Sequence, residues 1–452
     1  MKIFIPKEVE FIINNFYNNN HEAFMVGGCV RDSILNKTPK DYDITTSAKP
    51  EETLSLFEKT IPTGLKHGTI TIVLNSDNYE VTTYRTEGIY IDNRHPSSVA
   101  FVTDIRDDLS RRDFTINALA YNNTLGLVDY FNGLEDLNNR IIKSVGDPNI
   151  RFQEDSLRML RAIRFTCQLN FKIEENTFKA IQLNKHLIEN ISKERIRDEL
   201  CKILISKKPS KGFELLSKCG LLEIILPEIS SLINFSPLSV KHNKNVFSHT
   251  LRVLDNTKSN LYLRLAALFH DVGKLNTLTL ESDGTYRFPL HNIEGANLSR
   301  RILKDLRFDN LTIKYVSKLI EHHLVPNPNN LPSKYDVKKL ITDVPIDILP
   351  LLFNLQRSDI NSLDNPKPFL KKVDYIESLV NEIIYNKEPL LVKDLNIKGN
   401  DLIKELSIKN GKEVGLILDY LLNKVLINPE LNSRPTLLRL SKSFLINKIE
   451  NL

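Results

Sequence analysis

The chain has few cysteines and no long apolar run. Its four cysteines show no CxxC spacing, which argues against a zinc ribbon or a disulfide framework and is typical of a reducing compartment. No apolar stretch approaches the ~18 residues that a membrane-spanning helix needs. The opening segment MKIFIPKEVEFIINNF has no small-residue cleavage pattern. These absences predict a cytoplasmic protein without a membrane span.

Length and patterning predict an α+β, mainly helical protein with several domains. The 452 residues, 41% of them hydrophobic, can bury more than one core, at ~100 to 200 residues per domain. The segments are a head with strand-like runs and helices at 1–136, a helical neck at 137–235, a helical, histidine-rich domain at 236–365 and a helical tail at 366–452. A net charge of +5 permits a nucleic-acid partner without indicating one.

The segment GGCVRDSILNKTPKDYDIT (27–45) combines two glycines, an arginine and two closely spaced aspartates. Side chains two residues apart on a strand share a face, so Asp41 and Asp43 are expected side by side on a strand. Paired carboxylates that leave positions for water or phosphate are what Mg²⁺ requires in polymerase-type sites. Gly28 lets the backbone approach a phosphate, and Arg31 is a candidate clamp for a phosphate oxygen.

This combination resembles the nucleotidyltransferase superfamily, whose signature is GG followed by a D-x-D pair. The resemblance implies a third carboxylate on a neighbouring strand. Glu80 is the natural candidate, because it lies in the second of two β-branched runs, TITIVL and YEVTTYR. We therefore expect Asp41, Asp43 and Glu80 to be catalytic, with Asp41 and Asp43 binding Mg²⁺ in a two-metal site.

Three later motifs narrow the family. TYRTEGIYIDNRHPSSVAF (83–101), RRDFTINALAY (111–121) and EDSLRMLRAIRF (154–165) resemble the successive motifs of the class II tRNA nucleotidyltransferases, which include the CCA-adding enzymes and bacterial poly(A) polymerases. The resemblance implies metal-dependent nucleotide transfer from CTP and ATP to the 3′ end of tRNA. One departure is that Arg94 is followed by His95, where the family loop usually carries two arginines. A basic contact is thereby weakened at neutral pH.

The helix predicted for EDSLRMLRAIRF spaces Asp155, Arg158, Arg161 and Arg164 by three residues, so Asp155 and Arg158 are expected to be neighbours. A carboxylate only accepts hydrogen bonds and a guanidinium only donates them. Cytosine and adenine offer an amino donor beside a ring acceptor. Guanine and uracil reverse that order, at roughly 1 to 3 kcal/mol per mismatched polar contact. The resemblance makes Asp155 and Arg158 base readers, and Arg161 and Arg164 further nucleotide contacts.

Other basic residues are also candidates for substrate contacts. Arg112 matches the family arginine that helps to hold the nucleotide, with Asp113 beside it. Several cations of the neck could follow the tRNA backbone or could simply be solvated. These cations are Lys193, Arg195, Arg197, Lys207, Lys208 and Lys211.

The histidine-rich domain carries an ordered set of histidines and aspartates that resembles the HD phosphohydrolase superfamily. The resemblance implies four core ligands to a divalent cation, with further histidines completing a second metal site or binding phosphate. The core set is His249, His270, Asp271 and Asp359, and the further candidates are His291, His322 and His323. Imidazoles with carboxylates suit Mn²⁺, Ni²⁺, Fe²⁺ or Mg²⁺, which can activate water for attack on a phosphoester. A site retained for structure or for tRNA docking is the alternative.

The leading interpretation is an enzyme that adds or repairs the 3′ CCA of tRNA, with a possible 2′,3′-cyclic phosphodiesterase or phosphatase activity in its HD domain. A poly(A) polymerase or an A-adding enzyme of the same family is the first alternative. A CC-only enzyme is disfavoured because the loop at 86–100 is full length. An HD phosphohydrolase whose N-terminal half only binds RNA is the alternative from another class.

Overall fold

The computed structural model describes residues 3–88, 97–235, 245–282, 285–363, 365–408 and 411–450. Arg94 and His95 lie outside the described residues. Contacts divide the chain into two compact units. The first runs to Ser231 and includes Asp305–Phe308, and the second comprises Leu232–Lys304 and the chain from Asp309 onward. No helix in the described ranges is long and apolar enough to cross a membrane.

The first part of unit one contains short helices around a mixed sheet. Its elements are α1 (Lys7–Asn18), β1 (Ala23–Val26), α2 (Gly28–Ile34), β2 (Ile44–Thr46), α3 (Pro50–Leu56), β3 (Thr60–Gly64), β4 (Thr69–Leu74), β5 (Asp77–Thr83), β6 (Arg85–Glu87), β7 (Val99–Phe101), α4 (Ile105–Ser110), β8 (Leu119–Asn122), β9 (Gly126–Asp129) and α5 (Gly133–Asn138).

The main sheet has seven strands in the order β3-β4-β5-β2-β1-β8-β9. β4 and β5 form the hairpin that the two β-branched runs predict. β2 runs parallel to β5, with Ile44 opposite Val81, whereas β1 is antiparallel to both β2 and β8. The first residue after the aspartate pair is thereby paired with the residue that follows Glu80.

Burial explains why these short strands hold together. All four residues of β1, the apolar run AFMV, are buried, and Phe24 and Val26 join a core cluster with Tyr84. The two threonines of β2 are fully buried, but their hydroxyls are satisfied: Thr45 Oγ1 donates to the Thr82 carbonyl oxygen and Thr46 Oγ1 to that of Glu22. The strand that follows the aspartate pair is therefore fixed in a dry environment.

The rest of unit one is almost entirely helical. Its elements are β10 (Ile141–Ile142), α6 (Pro148–Glu154), α7 (Leu157–Leu169), β11 (Lys172–Ile173), α8 (Glu175–Asn184), α9 (Lys193–Leu204), α10 (Pro209–Cys219), α11 (Leu221–Ile225) and α12 (Pro227–Ser231). The expectation that 137–235 holds no strand is wrong in detail, because β10 and β11 pair in parallel over two residues each.

The described residues of unit two are helical apart from one small hairpin. Its elements are α13 (Val246–Asn256), α14 (Leu261–Phe269), α15 (Lys274–Thr277), β12 (Thr279–Leu280), β13 (Tyr286–Arg287), α16 (His291–Asp305), α17 (Asn310–Glu321), α18 (Lys334–Asp343), α19 (Leu349–Ile360), α20 (Lys367–Tyr385), α21 (Gly399–Leu406), α22 (Lys412–Ile427) and α23 (Arg434–Glu450). The apolar face of α22 packs into a core cluster with α21 and α23. The α+β, mainly helical fold class is confirmed.

Candidate active sites

Asp41 and Asp43 do not lie on a strand, and this corrects the expectation from the sequence. β2 begins only at Ile44, and both aspartates belong to the irregular segment that leads into it. The segment is nevertheless tied to the sheet, because the Val26 N–H donates to the Asp43 carbonyl oxygen at 3.0 Å. Glu80 lies on β5, the strand beside β2, as predicted.

The three carboxylates share one electrostatic neighbourhood. Packing around Asp43 raises the pKa of its carboxyl group; the nearby charge of Arg112 opposes that rise, whereas Glu80 and Asp41 add to it. Within the described residues, these three acids are not among the sets whose ligand atoms all lie within 4.8 Å of one another. A divalent cation relieves the repulsion between neighbouring carboxylates, and carboxylate oxygens are hard ligands. The donor set therefore fits Mg²⁺.

Gly27 leaves room for the Arg112 side chain. Its φ of +78° is one that residues with a Cβ rarely adopt. A Cβ added at Gly27 would lie 3.0 Å from Nη1 of Arg112. Gly28 is the first residue of α2. Gly27 therefore lets the backbone and the Arg112 guanidinium approach each other closely, whereas a Cβ added at Gly28 would lie 3.7 Å from Nη2 of Arg31.

Arg31 is buried and already engaged, so it does not present an open guanidinium. Its Nη1 donates to Asn117 Oδ1 at 2.6 Å, and its Nε donates to Asp32 Oδ1 at 2.8 Å. The guanidinium also lies 5.1 Å from the ring centroid of Phe165. These contacts fix α2 against the segment that carries Asn117.

Asp155 and Arg158 do not form the neighbouring pair that the sequence predicted. Asp155 lies at the break between α6 and α7, because α7 begins only at Leu157. Its carboxylate forms a two-pronged ion pair with Arg195 of α9, at 2.8 and 3.3 Å. Arg158 pairs with Glu154 at 2.8 Å and donates to the Arg111 carbonyl oxygen at 2.9 Å.

The two remaining arginines of α7 are held by carboxylates that lie far away in the sequence. Arg161 donates to Asp113, with Nη2 at 2.6 Å and Nε at 2.8 Å from Oδ2. Burial alone would raise the pKa of Asp113, but Arg161 and the Asn117 amide outweigh it and lower the pKa to about 2. Arg164 forms a buried ion pair with Glu199 of α9 at 2.5 Å.

Sequence reasoning missed the acids that hold these arginines. Glu199 and Asp108 are buried carboxylates, and Glu154 pairs with both Arg151 and Arg158. The available signal was that an acid in an otherwise apolar stretch is rarely buried unless it is paired. That signal does not tell which cation is the partner.

In unit two, the core histidines and aspartates of the HD motif converge. His249 Nε2 lies 3.2 Å from His270 Nε2 and 3.1 Å from Asp359 Oδ1. The two oxygens of Asp271 face different histidines. Oδ2 lies 3.3 Å from His270 Nε2, and Oδ1 lies 3.5 Å from His291 Nε2. Two sets therefore meet at this carboxylate, one of His249, His270 and Asp359, and one of Asp271, His291 and His323.

The outer nitrogens of three imidazoles are bound to backbone. Nδ1 of His270, His291 and His323 lies 2.7 to 2.8 Å from the carbonyl oxygen three residues earlier. A carbonyl oxygen only accepts hydrogen bonds, so each Nδ1 carries the proton and leaves the Nε2 lone pair for a ligand. This tautomer is the one that histidine metal ligands use.

Burial keeps part of this cluster in the right protonation state for metal binding. It lowers the pKa of His323 to about 3 and also lowers the pKa of His291, so both rings are neutral near pH 7. Burial opposes ionisation of Asp359, but hydrogen bonding from His249 and the charge of His270 outweigh it and lower its pKa to about 2. Neutral imidazoles and ionised carboxylates form a donor set that fits divalent transition metals.

His322 lies apart from this centre. Its Nε2 is 2.6 Å from Asp343 Oδ2 on the surface, and Lys318 Nζ pairs with Asp343 at 2.6 Å and Glu321 at 3.2 Å. Glu321, His322 and Asp343 form a third set whose ligand atoms lie within 4.8 Å of one another. Lys318 pairs with both carboxylates, and Arg300 also lies 3.5 Å from Glu321, so the set is part of a surface ion-pair network. Of the adjacent pair of histidines, only His323 joins the buried cluster.

Three family profiles match the chain. The poly(A) polymerase head domain matches residues 23–143, the probable RNA and SrmB-binding site of polymerase A matches 170–233, and the HD domain matches 246–378. Together with the carboxylates of the head and the histidine cluster, these matches define a nucleotidyltransferase with an appended HD domain.

Full-length relatives make the family specific. A CCA-adding enzyme of Ligilactobacillus salivarius is 34% identical over 449 residues, covering 97% of this chain and 96% of that protein. One of Staphylococcus haemolyticus is 36% identical over 422 residues, covering 92% and 93%. The crystal structure of Bacillus stearothermophilus CCA-adding enzyme in complex with CTP has a TM-score of 0.72 at 26% identity, covering 99% of this chain and 100% of that chain. The chain belongs to the CCA-adding enzyme family.

Proposed function

We propose that this protein is a tRNA nucleotidyltransferase that builds or repairs the 3′-terminal CCA of tRNA from CTP and ATP. The observation that carries the proposal is that Asp41, Glu80 and Arg112 are close enough to Asp43 to act on its charge, with Gly27 against the Arg112 guanidinium. Membership of the family over nearly the whole chain supports the same reaction.

In this reaction the RNA 3′-hydroxyl attacks the α-phosphorus of the nucleotide, and pyrophosphate leaves. Asp41 and Asp43, with Glu80 at their side, would hold Mg²⁺. Mg²⁺ supplies two effects when it is bound: it lowers the pKa of the attacking hydroxyl group and neutralises charge on the leaving group. Arg112 would meet the triphosphate, and Gly27 leaves room for that approach. The protein supplies position and charge, and no covalent intermediate is required.

Base selection requires Asp155 and Arg158 to present their polar edges to the incoming nucleotide. Each has a protein partner, Arg195 for Asp155 and Glu154 for Arg158. These partners hold both side chains in place, and a base would have to share or exchange the contacts that they make. The carboxylate accepts the amino group shared by cytosine and adenine, and the guanidinium donates to the ring nitrogen beside it.

The neck is the proposed contact for the tRNA backbone. A cavity of about 270 Å³ opens there between three lysines and an apolar floor that includes Phe171 and Phe178. The lysines are Lys172, Lys211 and Lys218. We assign the head to 1–136, the neck to 137–235, the HD domain to 236–365 and a tRNA-contacting tail to 366–452. Such cations bind phosphates without regard to base sequence.

The HD cluster supports a second activity, a phosphohydrolase for phosphoesters such as 2′,3′-cyclic ends. His249, His270 and Asp359 would hold one divalent cation, and Asp271 lies between this set and the second one. His291 and His323 would complete the second set. Bound cations of this kind activate water toward a phosphoester. Mn²⁺, Ni²⁺, Fe²⁺ and Mg²⁺ all suit this mixture of imidazole and carboxylate.

The decisive experiment supplies tRNA transcripts that end before CCA, after C or after CC, with CTP and ATP singly and together. Addition of a complete CCA by the purified protein alone is the expected result. Incorporation of ATP only, or poly(A) growth on unrelated RNA, would select the A-adding or poly(A) alternative. No incorporation with intact HD activity would select an HD phosphohydrolase that only binds RNA.

Substitutions separate the two activities. Asp41→Ala and Asp43→Ala should each abolish incorporation and leave phosphohydrolase activity intact. His270→Ala should do the reverse. Asp77→Ala is the matched control, because this exposed aspartate lies on β5 three residues from Glu80. It should leave both activities unchanged.

A further inference from the structure

Asp108 is a fully buried carboxylate on α4, and none of the sequence motifs singles it out. Its Oδ1 accepts from Arg111, with Nη2 at 2.7 Å and Nε at 3.1 Å. Its Oδ2 accepts from Arg112 Nη2 at 3.3 Å and faces Thr45 Oγ1 at 3.4 Å. One acid therefore contacts two adjacent arginines and the strand that follows the aspartate pair.

This carboxylate is ionised despite its burial. Burial would raise the pKa of Asp108, but Arg112 and Arg111 outweigh it and lower the pKa below its ordinary value. A buried anion between two guanidinium groups cannot move without leaving charge uncompensated. Asp108 therefore holds both guanidinium groups in place.

The remaining surface of Arg112 faces the catalytic side of the head. Nη1 lies 3.0 Å from where a Cβ on Gly27 would be, and its charge acts on Asp43. Among the residues that the structure describes, Asp108 is the one carboxylate within ion-pair distance of Arg112. Nε of Arg112 is buried and has no hydrogen-bond partner in that part of the chain. Arg112 is thus held at one nitrogen and has donors to spare for a ligand.

We propose that Asp108 is a positioning residue for the nucleotide: it holds Arg112 where the guanidinium meets the triphosphate of CTP or ATP. This inference rests on the proposed nucleotidyltransferase function. The contact lies on the phosphate side, which both nucleotides share. Asp108 therefore governs the affinity for both of them and has no part in choosing the base.

The test is a double-mutant cycle read in steady-state kinetics on a tRNA transcript that lacks CCA. Asp108→Asn should raise KM for CTP and for ATP by a similar factor, about tenfold, as expected for loss of one charge-assisted contact. Arg112→Ala should raise KM at least as much. Adding Asp108→Asn to Arg112→Ala should raise KM no further, because Asp108 acts through Arg112.

Asp136→Asn is the control for loss of a buried carboxylate. Asp136 is buried in the same unit and accepts a hydrogen bond from Thr115 at 2.7 Å, without contact to Arg112. It should leave both KM values unchanged. If Asp108→Asn does not fold, the double variant Asp108→Asn/Arg111→Met also removes Arg111, the cation left with Glu87 as its remaining ion-pair partner among the described residues. Its KM values are compared with those of Arg111→Met alone.

Two outcomes would overturn the inference. One is a KM effect of Asp108→Asn that multiplies with that of Arg112→Ala, because the acid would then act independently. The other is an unchanged KM in a folded Asp108 variant, which would leave Asp108 with a structural role only. If the wild-type protein adds no nucleotide at all, the proposed function itself fails, and that result is distinct from both.

Discussion

Replacing Asp113 by Asn should destabilise the head by about 2 kcal/mol at neutral pH. The carboxylate is buried and accepts hydrogen bonds from Arg161, from the Asn117 amide and from the Phe114 backbone N–H. These contacts outweigh the burial that opposes ionisation and lower the pKa from 3.8 to about 2. Because one pH unit corresponds to about 1.4 kcal/mol, this lowering is worth about 2 kcal/mol.

The sign of the pH dependence follows from the direction of the pKa shift. A carboxyl group whose pKa is lower in the folded state contributes stability above its unfolded pKa, near pH 4. That contribution disappears as the pH falls through the folded pKa, near 2 for Asp113. The difference in stability between the wild type and Asp113→Asn should therefore be full at pH 7 and shrink between pH 4 and pH 2.

Hydrogen exchange as a function of urea, read by mass spectrometry on head peptides, measures this difference without assuming that both units unfold together. Asp107→Asn is the control, because Asp107 is exposed on the neighbouring helix, and it should have little effect. Equal protection of the wild type and Asp113→Asn at pH 7 would refute the reasoning. So would a difference of unchanged size at pH 2.5.

Three further predictions test other parts of the structure. Gly27→Ala should raise KM for both nucleotides about tenfold or more in the CCA-addition assay, since the strained φ and the close guanidinium must both relax. His323→Asn should lower the Ni²⁺ content of Ni²⁺-loaded protein, measured by inductively coupled plasma mass spectrometry, whereas His322→Asn should not, because only His323 lies in the buried cluster. Lys372→Met should destabilise its surroundings by about 3 kcal/mol and speed proteolysis of the 326–330 loop, because three backbone carbonyls accept hydrogen bonds from the Lys372 ammonium group.

The sequence predicted those features that depend on local pattern. The β4–β5 hairpin follows from two β-branched runs around a turn, and its second strand places Glu80 beside β2. The HD ligands were identified because their order along the chain matches a known superfamily. His249 and Asp359 are 110 positions apart, yet they approach within 3.1 Å.

Element boundaries at the sites were predicted less well. The spacing of Asp41 and Asp43 is that of alternate residues on a strand. The hydrogen-bonded pairing of β2 with β5 begins only at Ile44, however, which lies opposite Val81. The sequence places Asp155 first in a series of charged residues spaced for one helix. Its backbone is extended, however, and separates the end of α6 from the start of α7. Spacing alone does not distinguish the last residues outside an element from the first residues inside it.

The partners of Arg161 and Arg164 could not be predicted, because these ion pairs join residues that are 48 and 35 positions apart in the sequence. Asp108 and Glu154 each lie four residues before their arginine, so helical spacing carried a signal for those two pairs. These ion pairs also explain how the head and α7 hold several buried guanidinium groups close together. Unpaired, these guanidinium groups would repel one another and would lose hydration on burial. Each is paired with a carboxylate instead, and Asp108 and Glu154 each pair with two arginines. The pairs are Arg112 with Asp108, Arg158 with Glu154, Arg161 with Asp113 and Arg164 with Glu199. A site that chooses nucleotides without a nucleic-acid template needs donors in fixed positions, and paired arginines provide them before the substrate arrives.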